Sequence, residues 1–251
     1  MHDLEPITKP KILLVEGKDE KNLFTALLTD LMLDSIIQVF ETKGKDKFDS
    51  RLRALKTLPG FNQVISIGVV RDADSDPVSA FRSVCGGLRT INLPEPTTPL
   101  QPITITGHPK VTVMIVPNAT TKGMIENVCL NSVSDDPAML CVEQYFQCLQ
   151  EQHRTLAEND IPKSRVRAFL ASREWLEIAH FEYLQRCMEN YEPAIPISPV
   201  IAVPKVHAFL ASRYTPDLDL GTAAKKSDRE DKYWRFDHEA FDEIKRFLKM
   251  L

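Results

Sequence analysis

The chain has 251 residues, 43% of them hydrophobic and 26% charged, with a net charge of −4 at pH 7; this is the profile of an ordinary globular protein long enough to bury a sizeable core. That acidic balance excludes coating of nucleic acid by bulk charge and leaves only a local basic groove as an electrostatic route to it. No apolar run approaches the roughly 20 residues that cross a bilayer, the start lacks a signal-peptide apolar core, and the five cysteines lack CxxC spacing. A cytoplasmic protein with reduced thiols and no membrane partner is therefore expected.

From residue 11 to about 117, strand-like apolar runs alternate with helical periodicity. KILLVE predicts a buried strand, followed by a helix over Lys18 to Leu33 with apolar residues at 23, 24, 27, 28 and 31. SIIQVF (Ser35 to Phe40) predicts a second strand, Asp46 to Leu58 a second helix stopped by Pro59-Gly60, and Val64 to Val70 a third strand. Pro77 to Leu88 predicts a third helix and Val111 to Pro117 a fourth strand. Three such crossovers imply an α/β fold, a mostly parallel four-stranded sheet flanked by helices. The proline-rich insertion at 91–110 predicts a loop carrying a short edge hairpin or extended arm.

After residue 120 the pattern is helical: Met124 to Ser132, Pro137 to His153, Lys163 to Met188 and Glu239 to Leu251, the last two separated by prolines 193, 196, 199 and 204. This divides the chain into an α/β core over 11–132 and a helical region over 133–251. Cys141 and Cys148 share a helical face near His153, which is too few ligands for a closed zinc site, so buried core thiols are expected there. AFLASR occurs at Ala168 to Arg173 and again at Ala208 to Arg213, a coincidence of very roughly one in a thousand by chance that suggests a duplicated helical element. Basic residues precede each copy, Arg165 with Arg167 and Lys205 with His207. They are candidates to bind substrate phosphate, against the plainer reading of solvated helix faces.

Two acidic signatures carry the chemistry: VEGKDE (Val15 to Glu20) and RDADSD (Arg71 to Asp76), each at the end of a predicted strand. Neighbouring parallel strands would bring Glu16, Asp72, Asp74 and Asp76 to the sheet edge where open α/β folds place their chemistry. Carboxylates gathered there repel one another unless a cation joins them, and oxygen-only ligands suit Mg²⁺. Glu16 can serve as metal ligand or general base, and Lys18, opening a helix whose free N–H groups favour an anion, can meet a substrate phosphate. The alternative makes Glu16 a turn residue and Asp19 and Glu20 helix-dipole residues. The i, i+2 spacing of Asp72 and Asp74 points both to one side of an extended chain. Asp76, ahead of Pro77, reads first as a helix cap and second as a helper at the metal.

Jointly these residues resemble the Toprim motif, the metal-binding core of topoisomerases, primases, OLD-family nucleases and ribosomal RNA maturases, over roughly residues 11 to 130. The resemblance is nearest to an uncharacterised prokaryotic Toprim-like family: KGMIENVCLNSV (Lys122 to Val133) is similar to that family's G-x-x-E-D-x-x-L segment, and the ending from Gly221 to its tail. It implies Asp72 and Asp74 as Mg²⁺ ligands, with Mn²⁺ able to substitute, Glu16 as acid/base or metal-linked carboxylate, and Glu126 as a further carboxylate for a second ion. Asn127 stands where an acid is usual and puts that second site in doubt.

The implied function is metal-assisted phosphoryl transfer on nucleic acid or a nucleotide, performed by a small nuclease. No tyrosine has the setting of a topoisomerase nucleophile, and no zinc-ribbon cysteines support a primase. Two other classes remain: a non-catalytic module binding a nucleotide or a partner, and a receiver-like domain phosphorylated on Asp72.

Overall fold

The computed structural model describes residues 5–152, 156–174, 220–225 and 233–251. Lys205, the second AFLASR copy, Cys187 and the proline-broken linker lie outside the described residues. Four strands form one parallel sheet in the order β2-β1-β3-β4: β1 (Lys11–Val15), β2 (Ile37–Glu41), β3 (Ser66–Asp72) and β4 (Lys110–Val116). Helices α1 (Lys18–Asp30), α2 (Phe48–Lys56) and α3 (Pro77–Thr90) supply the crossovers, and α4 (Ile125–Ser132), α5 (Pro137–Glu151), α6 (Asp160–Glu174), α7 (Leu220–Lys225) and α8 (Asp242–Met250) follow β4.

Strand alternation sorts the apolar side chains into two cores. Ile12, Leu14, Ile67, Val69, Val111, Val113 and Ile115 face Phe48, Leu52 and Leu55 of α2 and Val84 and Leu88 of α3. Leu13, Val15, Val70, Met114 and Val116 face the opposite way, toward α1 and the described helices after β4. Both sheet faces are thus covered, which is why these strands read as continuous apolar runs. The second core joins the sheet to the helical region: Phe169 of α6, Trp234, and Phe247 and Leu248 of α8 all belong to it. Trp234 is fully buried, stacks on Phe169 at 5.7 Å, and donates its indole N–H to the Leu220 carbonyl at 3.2 Å.

Gly68, in the middle of β3, leaves the space that the last side chain fills: a Cβ there would lie 2.7 Å from a Leu251 methyl and 3.0 Å from one of Leu13. Gly68→Val is therefore expected to overpack this face and lower stability by about 1–3 kcal/mol, measured by chemical denaturation.

Two expectations change, and one is made specific. β3 begins and ends two residues later than its apolar run suggests, so Arg71 and Asp72 are strand residues. The 91–110 insertion is an extended arm that lies antiparallel along the free edge of β4, with Ile103 and Val111 exchanging hydrogen bonds of 2.9 and 3.0 Å and Leu100 donating to Val113. An arm of this kind blunts an otherwise open edge. Cys141 is half-buried and Cys148 exposed, because α5 turns Met139, Val142, Tyr145 and Phe146 inward instead; among the described residues the buried thiols are Cys85 and Cys129.

Candidate functional site

At the carboxyl edge of the sheet, Asp72 takes the face that Val70 sets two residues earlier, toward α1 and α4. Its Oδ1 accepts the Ile125 N–H at 3.1 Å, so it also closes the first turn of α4. Desolvation pushes this carboxyl well above its ordinary range, and the nearby charges of Glu126, Glu20 and Glu16 push it further, in that order. Four carboxylates, from β3, α1, α4 and the residue after β1, therefore share one electrostatic neighbourhood.

Each is held by its own element. Glu20 is the third residue of α1, and its carboxylate folds back over the start of the helix, where the backbone N–H groups of Glu20 and Gly17 favour its charge. Its Oε2 lies 2.8 Å from where a Gly17 Cβ would be, so the glycine admits the carboxylate. Burial nonetheless raises the Glu20 carboxyl, with Glu126 and Glu16 adding to it. Glu126, on the first turn of α4, is raised by burial and by Asp19 and lowered by its own N–H, by Lys163 and by Arg167. The Cys129 thiol, one turn along, is pushed well up by burial and then by the charges of Glu126 and Glu20.

Glu16 follows β1 and lies opposite a buried cation: Arg71 Nε is 3.3 Å from Glu16 Oε2, with the arginine side chain 9% exposed. The pair is within Coulombic reach but lacks hydrogen-bond alignment, and both atoms, like Glu126 Oε2, are buried without a hydrogen-bond partner. Arg71 is a permanent charge set among acids, which offsets part of their mutual repulsion.

Asp74 has backbone and side-chain partners of its own. The same-side expectation for Asp72 and Asp74 required extended backbone through both; β3 ends at Asp72, and Asp74 has a left-handed φ of 49°. Its backbone is locked to Gly123 by two hydrogen bonds of 2.9 and 2.8 Å, and its Oδ2 lies 3.4 Å from Lys45 Nζ. It borders a cavity of about 120 Å³ lined also by Lys122, Asn127, Glu158 and Asn159. Asn127 Oδ1 accepts the Met124 N–H at 2.9 Å, so the residue standing where an acid is usual caps the helix.

The remaining candidates separate clearly. Asp76 caps α3, accepting from the N–H groups of Val78 and Ser79 and from the Ser79 hydroxyl at 3.0, 3.1 and 2.6 Å; the Ser79 hydroxyl first, then its N–H, holds this carboxyl below its usual range. Asp76→Ala is expected to lower the melting temperature, read by calorimetry. Lys18 is exposed on the first turn of α1. Arg165 is committed elsewhere, bonded to Glu143 at 2.7 Å and lying over the Phe146 ring at 5.5 Å, whereas Arg167 acts on Glu126. His108 precedes β4 and so lies at the opposite end of the sheet from these carboxylates.

Sequence reasoning missed Glu20, Arg71, Lys45 and Lys163. A signal existed for the first: Glu16 and Glu20 are four residues apart, astride a helix start. Among the described residues, no group of three or more His, Cys, Asp or Glu side chains is arranged to hold a metal ion. The acids share a field without forming a closed coordination shell.

Fold and site together define an open parallel α/β protein with an acidic cluster at the carboxyl edge of its sheet. The chain belongs to the family described as "Protein of unknown function (DUF3226)", whose profile matches residues 10–194. No curated protein matches it. Solved structures to which it is similar include the C-terminal region of the Xanthomonas campestris pv. campestris OLD protein phased with iodine, at 10% identity and a TM-score of 0.38 over 96% of this chain and 95% of that one. The same region phased with mercury gives 13% identity and a TM-score of 0.32 over 96% of each chain. No helix among the described residues is long and apolar enough to cross a membrane.

Proposed function

We propose that the acidic cluster binds Mg²⁺ and that the protein is a small nuclease, hydrolysing phosphodiester bonds of DNA or RNA. The observation that carries this reading is the crowding of Glu16, Glu20, Glu126 and Asp72 at one desolvated sheet edge, an arrangement unfavourable for bare carboxylates and favourable once a cation joins them. The donor set fits a hard ion: it is all oxygen, and Glu16 Oε2 and Glu126 Oε2 are buried with lone pairs that no hydrogen bond uses. The resemblance of VEGKDE and RDADSD to the Toprim signatures supports the same choice.

Glu16, Glu20, Asp72 and Glu126 would hold the ion, which when bound supplies Lewis-acid polarisation of a phosphate oxygen and lowers the pKa of water. The protein's own groups do the rest. Glu16 accepts or relays the proton of the attacking water, positioned by Arg71 behind it. Lys163 and Arg167, both exposed and both close enough to Glu126 to act on its charge, take the substrate's phosphate charge at the rim. Lys18 offers a further cation where α1 begins.

Cleavage of single- and double-stranded DNA and RNA by the wild type, Glu16→Gln and Glu126→Gln tests this. Each variant is expected to lose at least about 100-fold in rate while melting no lower than the wild type. Full activity in Glu126→Gln would contradict the site. Wild-type protein that binds Mg²⁺ but cuts none of these substrates would instead be a non-catalytic module, and acid-labile phosphate on Asp72 after treatment with a phosphodonor would make it a receiver.

A further inference from the structure

A surface with carboxylates at its centre repels a phosphodiester backbone unless cations surround them, and a chain of net charge −4 must place those cations locally. On one side stand Lys163 and Arg167 of α6, both exposed, and Lys122 after β4, paired with Glu158. The other side is supplied by the loop after β2, where Lys45 and Lys47 are exposed and flank Asp46. The backbone of that loop is fastened to the acidic centre. Gly44 donates its N–H to the Glu16 carbonyl at 2.9 Å, the Thr42 hydroxyl donates to the same carbonyl at 3.3 Å, and the Thr42 N–H donates to the Val15 carbonyl at 2.8 Å. β1 lies between β2 and β3 in the sheet, yet the Lys45 ammonium reaches past it to within 3.4 Å of Asp74 Oδ2. The side chain therefore crosses the end of β1, where Glu16 stands. With Lys45 57% exposed the contact adds little stability, and an ammonium has three donors, of which Asp74 takes one.

We propose that Lys45 and Lys47 form the second wall of a phosphate track: a nucleic-acid strand crosses the carboxyl edge of the sheet transverse to the β-strands, held by its backbone at α6 on one side and at the β2–α2 loop on the other, with the acidic cluster between. This rests on the reading that the cluster acts on phosphodiester bonds. β2 and β4 are the outer strands, and three inter-strand spacings set them about 14 Å apart, so the two walls meet different phosphates of one strand. The line between them is continuous, because Pro162, the residue before Lys163, borders the same cavity as Lys122 and Asp74, and Lys45 lies on Asp74. Contacts of this kind go to phosphates and carry no base sequence; they fix register and orientation. A grip on both sides holds the bond to be cut still over the carboxylates, which a grip at α6 alone would not do.

The test titrates fluorescently labelled single-stranded and duplex DNA, separately, with the full-length protein in chelator, where metal-dependent cleavage is off, between about 50 and 200 mM salt. Lys45→Gln combined with Lys47→Gln is expected to flatten the plot of log affinity against log salt by about 1.4 on a single strand or about 1.8 on a duplex, and equally on unrelated sequences. Lys163→Gln combined with Arg167→Gln is expected to flatten it by the same amount, and all four together by the sum. Lys249→Gln, near the amino end of β4 where Lys110 donates to the Met250 carbonyl, is expected to change nothing. A slope that the Lys45 and Lys47 pair leaves unchanged on both forms of DNA overturns the track while the metal reading stands, and a wild type that binds neither form overturns the track as well. Slopes that flatten as expected in a protein that cuts nothing in Mg²⁺ uphold the track and overturn the nuclease reading. Both lysines are exposed, and matching thermal melts verify that the variants fold.

Discussion

Asp72→Asn is expected to abolish metal-dependent cleavage and, at the same time, to raise the melting temperature of the metal-free protein. The substitution keeps an oxygen to accept the Ile125 N–H and removes only the charge. In the wild type that charge is desolvated and faces Glu126, Glu20 and Glu16. A gain of about 2–4 °C is expected for each kcal/mol of repulsion relieved. The sign of the pH dependence follows. Asp72, Glu20 and Glu126 all hold their protons more tightly in the folded protein, so unfolding releases protons and metal-free stability falls as pH rises from about 4 through their raised values. Asp76, Glu95 and Asp135 are shifted the other way and act only at lower pH. Calorimetry in chelator from pH 5 to 8 should therefore show a downward slope in the wild type that Asp72→Asn largely removes. Saturating Mg²⁺ should reverse the order, adding about 2.7 kcal/mol to the wild type at 100 times its dissociation constant and nothing to the variant. A variant less stable than the wild type in chelator would mean that Asp72 is a structural cap alone.

The second large effect lies far from the carboxylates. Trp234→Ala is expected to cost about 3–5 kcal/mol, the range for deleting a fully buried aromatic side chain. The indole is wholly enclosed, stacked on Phe169 of α6 and bonded to the Leu220 carbonyl of α7. It thus ties three segments that are distant in sequence onto the sheet face that carries α1 and α4. Because α6 also supplies Lys163 and Arg167, the cations assigned to the substrate's phosphate, substrate affinity should fall along with stability. Denaturation monitored by far-UV and near-UV circular dichroism should give one shared transition at lower denaturant. A change under 1 kcal/mol, of the size usual for surface substitutions, would show that this packing does not stabilise the fold.

The sheet was legible because both its faces are covered: KILLV and VTVMIV are apolar without interruption, which leaves the strand as the natural reading of a short run. The third strand misled by two residues because a buried arginine and a half-buried aspartate end it, and charge there looks like a loop. Glu16 and Asp72 were read as acids ending predicted strands, and Glu126 only through motif resemblance. Glu20 was taken for a dipole residue; its side chain folds back toward Gly17, and the same fold-back brings its charge to Glu126 and Glu16. Asp74 shows the limit of spacing arguments. The alternation rule needs extended backbone, and a single left-handed residue ended it. Arg71 and Lys45 were invisible because their partners lie 55 and 29 residues away, so only the folded chain reveals those pairings.

The central claim is most directly tested by anomalous diffraction from crystals soaked in Mn²⁺. The account predicts one strong peak among the carboxylates of Glu16, Glu20, Asp72 and Glu126, absent from crystals of Asp72→Asn. A soaked crystal with no peak there, or with manganese bound only at a site none of these residues reaches, would contradict it.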